Sequence, residues 1–479
     1  MAEAWNGTEG VADTGYSAGV QNLNIFYDTG NMTFITMCSV LVLLMIPGVG
    51  FFYSGLARRK SALELLLMSM LCSSVVFFQW YFWGYSLTFS RTGNAFLGDL
   101  TMFGFINTVA APSTGSSDLP DILFALYQGM FAGITPVLAI GAIVDRGRIV
   151  PALVFTFIWT TIVYDPIAYW TWNGNGWLFT LGSLDFAGGG PVHIASGTCA
   201  LAYSLMLGKR TGYASNRGLP YRPHNVTNVV LGTVFLWVGW FGFNGGSALG
   251  MNIRAVLACY NTNLAAAVAG LVWVLLDLRL DRKWSTIGFC SGAISGLVAI
   301  TPAAGFVAPW GALVIGVVGG AACNLATKLK FLIGVDDALD IFAVHGVGGI
   351  VGNILTGLFA TSWVWDLDGL GPYPPLGWVD RNYVQLGYQL AGTCAAFAWS
   401  FVLTCLILFL LNLVPGLSLR ASAEMEEIGM DDYQLGEFAY DYVEVTRHVS
   451  DLGDSTVGST SEAATTTTTT EKRTEPTVV

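Results

Sequence analysis

Charge is scarce in this chain. Only 11% of its 479 residues are Asp, Glu, Lys or Arg, against about 25% in soluble proteins. With 53% of residues hydrophobic, that shortage excludes a soluble globular domain and predicts a polytopic membrane protein. The net charge of −11 is also unevenly placed. Residues 416–479 hold thirteen acidic and four basic residues, so the rest of the chain is close to neutral. Nothing there resembles a nucleic-acid footprint. None of the eight cysteines forms a CxxC or a metal-ligand spacing, and all fall in or beside apolar runs. They read as small packing residues, with no disulfide frame, metal or cofactor implied. The N-terminus lacks a basic n-region, so no cleaved signal peptide is expected. A GxSxG or paired catalytic Asp motif is missing too, which argues against an intramembrane hydrolase or any other enzyme.

What the chain has is long apolar runs. Read at about 20 residues per crossing, they give eleven spans near 34–56, 62–89, 121–144, 150–170, 191–208, 226–247, 255–277, 286–303, 307–327, 341–361 and 386–415. With the N-terminus outside, the inner loops hold fourteen Lys and Arg residues and the outer segments three. That bias fits the positive-inside rule and places the C-terminus in the cytoplasm. The expected organisation is an extracellular segment (1–33), a membrane domain (34–415), a cytoplasmic regulatory segment (416–448) and a disordered Ser/Thr-rich tail (449–479).

Histidine is rarer still, with four in the chain. Two of them, His193 and His345, lie inside apolar spans, and each follows an aspartate, Asp185 or Asp337, by eight residues. An ionisable group in lipid is costly unless it faces a cavity or a partner, so the pair marks a pathway. The plainer reading is two core histidines satisfied by backbone carbonyls. Because the two elements open spans five and ten, which run in opposite directions, spans 1–5 and 6–10 read as inverted five-helix repeats. The eleventh helix stands outside that symmetry, and the histidines should meet on its axis. Asp337 and Asp340 read as helix caps, a role also open to Asp185.

Asp185-Phe-Ala-Gly-Gly-Gly-Pro-Val-His193 and Asp337-Ala-Leu-Asp340-Ile-Phe-Ala-Val-His345 resemble the signatures of the Amt/Mep/Rh ammonium transporter family. The chain is most similar to the Amt/Mep branch and its fungal permeases. Ile46–Gly55, Gly239–Ser247 and Gly296–Gly305 support the resemblance, which covers roughly 34–446. It implies a homotrimer of eleven-helix protomers in the plasma membrane, each with its own pore for ammonium or methylammonium. His193 and His345 would be the twin histidines of that pore, and Phe131 and Phe243 its stacked gate. Tyr127, Trp172 and Ser247 would form the outer recruiting site, with Asp185 behind it.

The physics is consistent with that assignment. Aromatic faces attract a cation, and a hydroxyl such as Ser247 accepts an N–H bond. An open carboxylate would attract K⁺ as well, so Asp185 makes better sense as an organiser. An apolar pore then favours NH₃ over the intact ion, with the proton moved separately. Trp170 and Trp177 read as an interfacial belt. A K⁺-type channel would instead need rings of carbonyl or acidic groups. The acidic tail motivates another alternative, an ammonium sensor or transceptor with slow transport and a signalling partner at the tail. In the transporter reading the tail regulates the pore by docking on basic inner loops, and phosphate added by a cytosolic kinase at Ser450, Ser455 or Ser459 would shift that docking. Within 427–440 the chain has Leu435 where many relatives have His. Asn6 is the expected glycan site, and a glycan on Asn225 would reverse the orientation.

Overall fold

The computed structural model describes residues 26–213 and 222–440. Asn6, Ser450, Ser455, Ser459 and the 449–479 tail lie outside the described residues. Among the described residues the structure is helical, and extended pairing is limited to isolated bridges such as Gly147 with Arg420.

Among the described residues, nine helices are long and apolar enough to cross a membrane. Numbered in chain order with two further helices, they are α1 (Thr29–Leu56), α2 (Arg59–Phe89), α3 (Asp121–Ile143), α4 (Ile149–Leu181), α5 (189–207), α6 (Val226–Gly246), α7 (Ile253–Asp281), α8 (Thr286–Ile300), α9 (Pro309–Ile333), α10 (Phe342–Phe359) and α11 (Gln385–Asn412). The further two, α5 and α8, stand at the fifth and eighth expected spans. Helix α8 stops at Ile300, short of the expected 303, where the chain turns through Pro302. A turn at 173–176 breaks α4 just after Trp172.

Polar caps start these helices where the apolar runs begin. The side chains of Asp28, Asn225, Asn252 and Ser285 accept from the backbone N–H three residues on, at 2.8–3.0 Å. Helix α2 is capped from far along the chain. Asp431 accepts from the N–H groups of Leu63 (3.0 Å) and Glu64 (2.8 Å).

Small residues set the helix crossings. Helix α1 lies along α6, where a Cβ at Gly232 would overlap the α1 backbone at Gly48 and Phe52. Helices α5 and α10 cross at Gly197, whose added Cβ would overlap Gly346. Corresponding members of the two expected halves thus lie against each other. Both histidines sit on π turns, 189–194 and 342–347, which open the helix by one residue.

Candidate pore

A cavity of about 190 Å³ opens at the end of α4, lined by Gln128, Phe131, Trp172, Asp185, Phe186, Ser247, Phe306 and Trp365 among others. Trp172 is fixed by its Nε1–H, which donates to Asp185 O at 3.1 Å. Ser247 donates to Phe243 O at 2.9 Å and lies 3.3 Å from the Tyr127 hydroxyl, so at least one oxygen lone pair remains to accept an N–H. The Asp185 carboxylate is already used: Gly188 (2.7 Å), Gly189 (2.8 Å) and Gly190 (2.7 Å) all donate to it. It shapes the glycine turn leading to His193 rather than offering an open charge.

Phe131 closes the bottom of this vestibule. Its ring lies 4.2 Å from that of Phe243, tilted by 37°, and 6.0 Å from Trp172. Tyr127 stands one layer further back than expected. It is fully buried, packs on Phe131 at 5.0 Å, and hydrogen-bonds through its OH at Phe243 O (2.8 Å) and Gly242 O (3.0 Å).

Beyond Phe243 lie the two histidines. His193 Nδ1 and His345 Nδ1 are 3.3 Å apart, so one donates and the other accepts. The imidazole of His193 also stacks on Trp240, at 5.4 Å and 19°. Trp240 in turn donates to Thr301 at 2.9 Å. On the far side of His345 a cavity of about 20 Å³ is lined by Val49, Tyr53, Leu138, Trp240 and Ile341. That is room for about one water-sized molecule. The Tyr53 hydroxyl closes it by donating to Leu138 O at 2.8 Å.

Five of the expected residues, Phe131, Trp172, Ser247, Phe243 and Asp185, therefore gather at the vestibule and its floor, with His193 and His345 directly behind. Asp337 caps the second π turn, accepting from Phe342 N–H at 2.8 Å. Asp340 departs from the capping expectation: it sits at φ +57° and pairs with Lys330 at 2.8 Å. Trp170 departs from the interfacial belt, being buried with its Nε1–H on Phe96 O at 2.7 Å. Sequence reasoning missed Trp240, Tyr53, Phe186, Phe306 and Trp365. Phe186 and Trp240 lie inside the quoted motifs, but nothing in the sequence marks Trp365.

The opposite end carries a buried charge cluster. Asp145 pairs with Arg58 (3.1 Å) and Arg210 (3.0 Å), and Asp336 with Arg210 (2.9 Å). Burial alone would raise both carboxyls, but the facing guanidinium groups outweigh it and hold both below their usual range. Residues 420–440 lie across this face. Glu426 accepts from Arg420 (2.7 Å) and Thr211 N–H (2.8 Å). Gln434 accepts from Ile149 N–H at 2.9 Å, and Tyr440 OH accepts from Asn225 at 2.8 Å. Burial raises the Asp431 carboxyl despite its backbone bonds to α2.

Comparison with known proteins gives a consistent result. The Ammonium Transporter Family model matches residues 33–440. Ammonium transporter 1 of Schizosaccharomyces pombe is 56% identical over 95% of this chain and 91% of its own. Ammonium transporter MEP2 of Saccharomyces cerevisiae is 53% identical over 92% of this chain and 89% of its own. The crystal structure of Saccharomyces cerevisiae Mep2 superposes with a TM-score of 0.80 at 54% identity, covering 84% of this chain and 90% of that one.

Proposed function

This chain belongs to the ammonium transporter family and is an ammonium transporter of the membrane, not an enzyme; we propose that it takes up ammonium by recruiting NH₄⁺ and passing NH₃ along the paired histidines. The observation that carries this reading is the 3.3 Å Nδ1–Nδ1 contact, set between two cavities and behind two phenylalanines.

In this reading NH₄⁺ stops at Trp172 and Ser247. The indole face supplies a cation–π attraction of about 0.5–2 kcal/mol, and the serine oxygen takes one N–H. Phe131 and Phe243 are too close to admit a hydrated ion, so the ion sheds water and then gives its proton to the unprotonated ring nitrogen of the histidine pair behind them. NH₃ passes the histidines, whose ring nitrogens offer it one acceptor or donor at a time. The shared Nδ1 contact lets a proton cross separately from one imidazole to the other. We place eleven crossings in the plasma membrane as two inverted repeats plus one. The N-terminus is outside, the 420–440 segment is cytoplasmic, and three copies assemble as a homotrimer. Asn225 suits this orientation, since its side chain is engaged by Tyr440 on the basic face.

The test is concentrative methylammonium uptake in ammonium-starved cells lacking their own transporters, with K⁺ as control. Uptake that K⁺ leaves unaffected is expected. A K⁺ current without methylammonium uptake would overturn the reading, and a growth or morphology readout beside the flux would reveal a sensor.

A further inference from the structure

One wall of the vestibule already contains a cation. Arg254, in the first turn of α7, is buried, and its guanidinium carbon lies over three aromatic rings: Phe186 (4.9 Å), Phe306 (4.9 Å) and Trp365 (5.4 Å). All three rings line the vestibule. The guanidinium is tied down by Nε–H donation to Gly305 O at 2.8 Å and by a pair with Asp368 at 3.4 Å. Asp368 also accepts from the Tyr373 hydroxyl at 3.0 Å, and Tyr373 stacks on Trp365 at 4.0 Å and 9°.

We propose that Arg254 is a specificity-determining residue of the vestibule, a resident cation that occupies the aromatic wall and is neutralised by Asp368. The inference rests on the vestibule being where ammonium is recruited. An aromatic-lined cavity with no fixed cation would attract any monovalent cation to several ring faces at once. Here three of the rings already face a guanidinium, which repels a second cation in a partly desolvated site. Of the rings that remain in the lining, Phe124, Phe131, Phe179 and Trp172, the last is the one indole, and Ser247 lines the same cavity. There the hydroxyl oxygen takes one directional N–H bond from ammonium, whereas K⁺ would need several oxygen ligands at once to replace its hydration shell. Asp368 keeps the wall neutral, so the guanidinium removes competing ring sites without making the mouth positive overall.

The two partners therefore predict effects of opposite sign, which a purely structural role would not produce. R254M keeps the packing stem and removes the charge. It should lower the apparent KM for methylammonium by about threefold or more, the scale of one cation–π contact, and render uptake competitively inhibited by K⁺. D368N leaves the guanidinium unneutralised and should raise KM by a similar factor with the maximal rate unchanged. R254K, which retains a charge over the rings, should still reject K⁺. Each is measured as uptake at equal surface level, beside W172L. If R254M and D368N both raise KM, or R254M keeps wild-type KM and K⁺ insensitivity, the inference is overturned. If R254M fails to reach the surface, D368N and R254K decide: unchanged KM in D368N or K⁺ inhibition of R254K overturns it. Should W172L also retain wild-type KM, the recruiting role of the vestibule itself fails; a raised KM in W172L alone leaves that role standing without Arg254.

Discussion

His193 and His345 meet through like nitrogens, Nδ1 to Nδ1 at 3.3 Å. Two identical donors would repel and two identical acceptors would leave the contact without a proton, so the pair holds one proton between them. The Nε2 atoms are then inequivalent, one bearing hydrogen and the other a lone pair. Replacing either ring by Ala removes this arrangement. Loss of one hydrogen-bonding partner for a buried guest costs about 1–3 kcal/mol, a drop in rate of roughly five- to 150-fold. H193A and H345A should therefore cut methylammonium uptake by a factor within that range, with the wild-type oligomeric state, proposed to be a trimer, retained by size-exclusion chromatography. Normal flux and selectivity in the double variant would rule out the relay.

Asp185 offers a sharper structural test. Its two oxygens take three N–H groups from Gly188, Gly189 and Gly190. Asn at this position exchanges an acceptor for a donor that faces N–H groups. D185N should lose about 1–3 kcal/mol of stability, seen as a lower Tm in detergent, and should lose uptake because the turn carrying His193 shifts.

Acid should act on the buried cluster at the other end. Asp145 and Asp336 are held below their ordinary range in the fold. A depressed carboxyl contributes its stability fully above its unfolded value, near 3.9, and loses it as pH falls through the lower folded value. The wild type should therefore keep this contribution at neutral and mildly acidic pH and lose it only in strong acid. R210M strips both aspartates of a partner and should cost about 3–5 kcal/mol. It should also move the acid-unfolding midpoint upward, as followed by tryptophan fluorescence.

The tail segment can be tested in two steps. Because Asp431 caps α2 from a distance, D431A should cost about 0.5–2 kcal/mol of helix-end stability. It should also increase hydrogen exchange at Leu63 and Glu64. Deleting 421–479 should lower uptake, whereas deleting 461–479 should change little. Wild-type uptake by the longer deletion at equal surface level would leave the segment without a part in transport.

Much of this was legible in the sequence, for physical reasons. A span must be apolar and about 20 residues long, so α1 or α11 announces itself. Asp185 and His193 could be paired because their spacing recurs at Asp337 and His345. The closeness of Gly197 to Gly346 could not be foreseen, since glycines abound in these helices and only the crossing gives this one meaning. Trp240 looked like any span tryptophan until His193 was found stacked on it. Asp340 read as a cap from its position, but its left-handed backbone turns the carboxylate towards Lys330. Arg254 and Trp365 are 111 residues apart, a separation that no local pattern can bridge.

The ring pair of Phe131 and Phe243 also bears on electrical insulation. Protons hop along continuous columns of water, and a membrane protein containing such a column would discharge the voltage that its host maintains. Here the 190 Å³ vestibule and the 20 Å³ inner cavity are separated by two rings 4.2 Å apart and by the histidines behind them. A water column would have to pass between those two rings, so in the proposed mechanism the closed ring pair keeps the membrane battery charged. In that mechanism a proton enters the histidine pair only when an arriving ammonium ion delivers it.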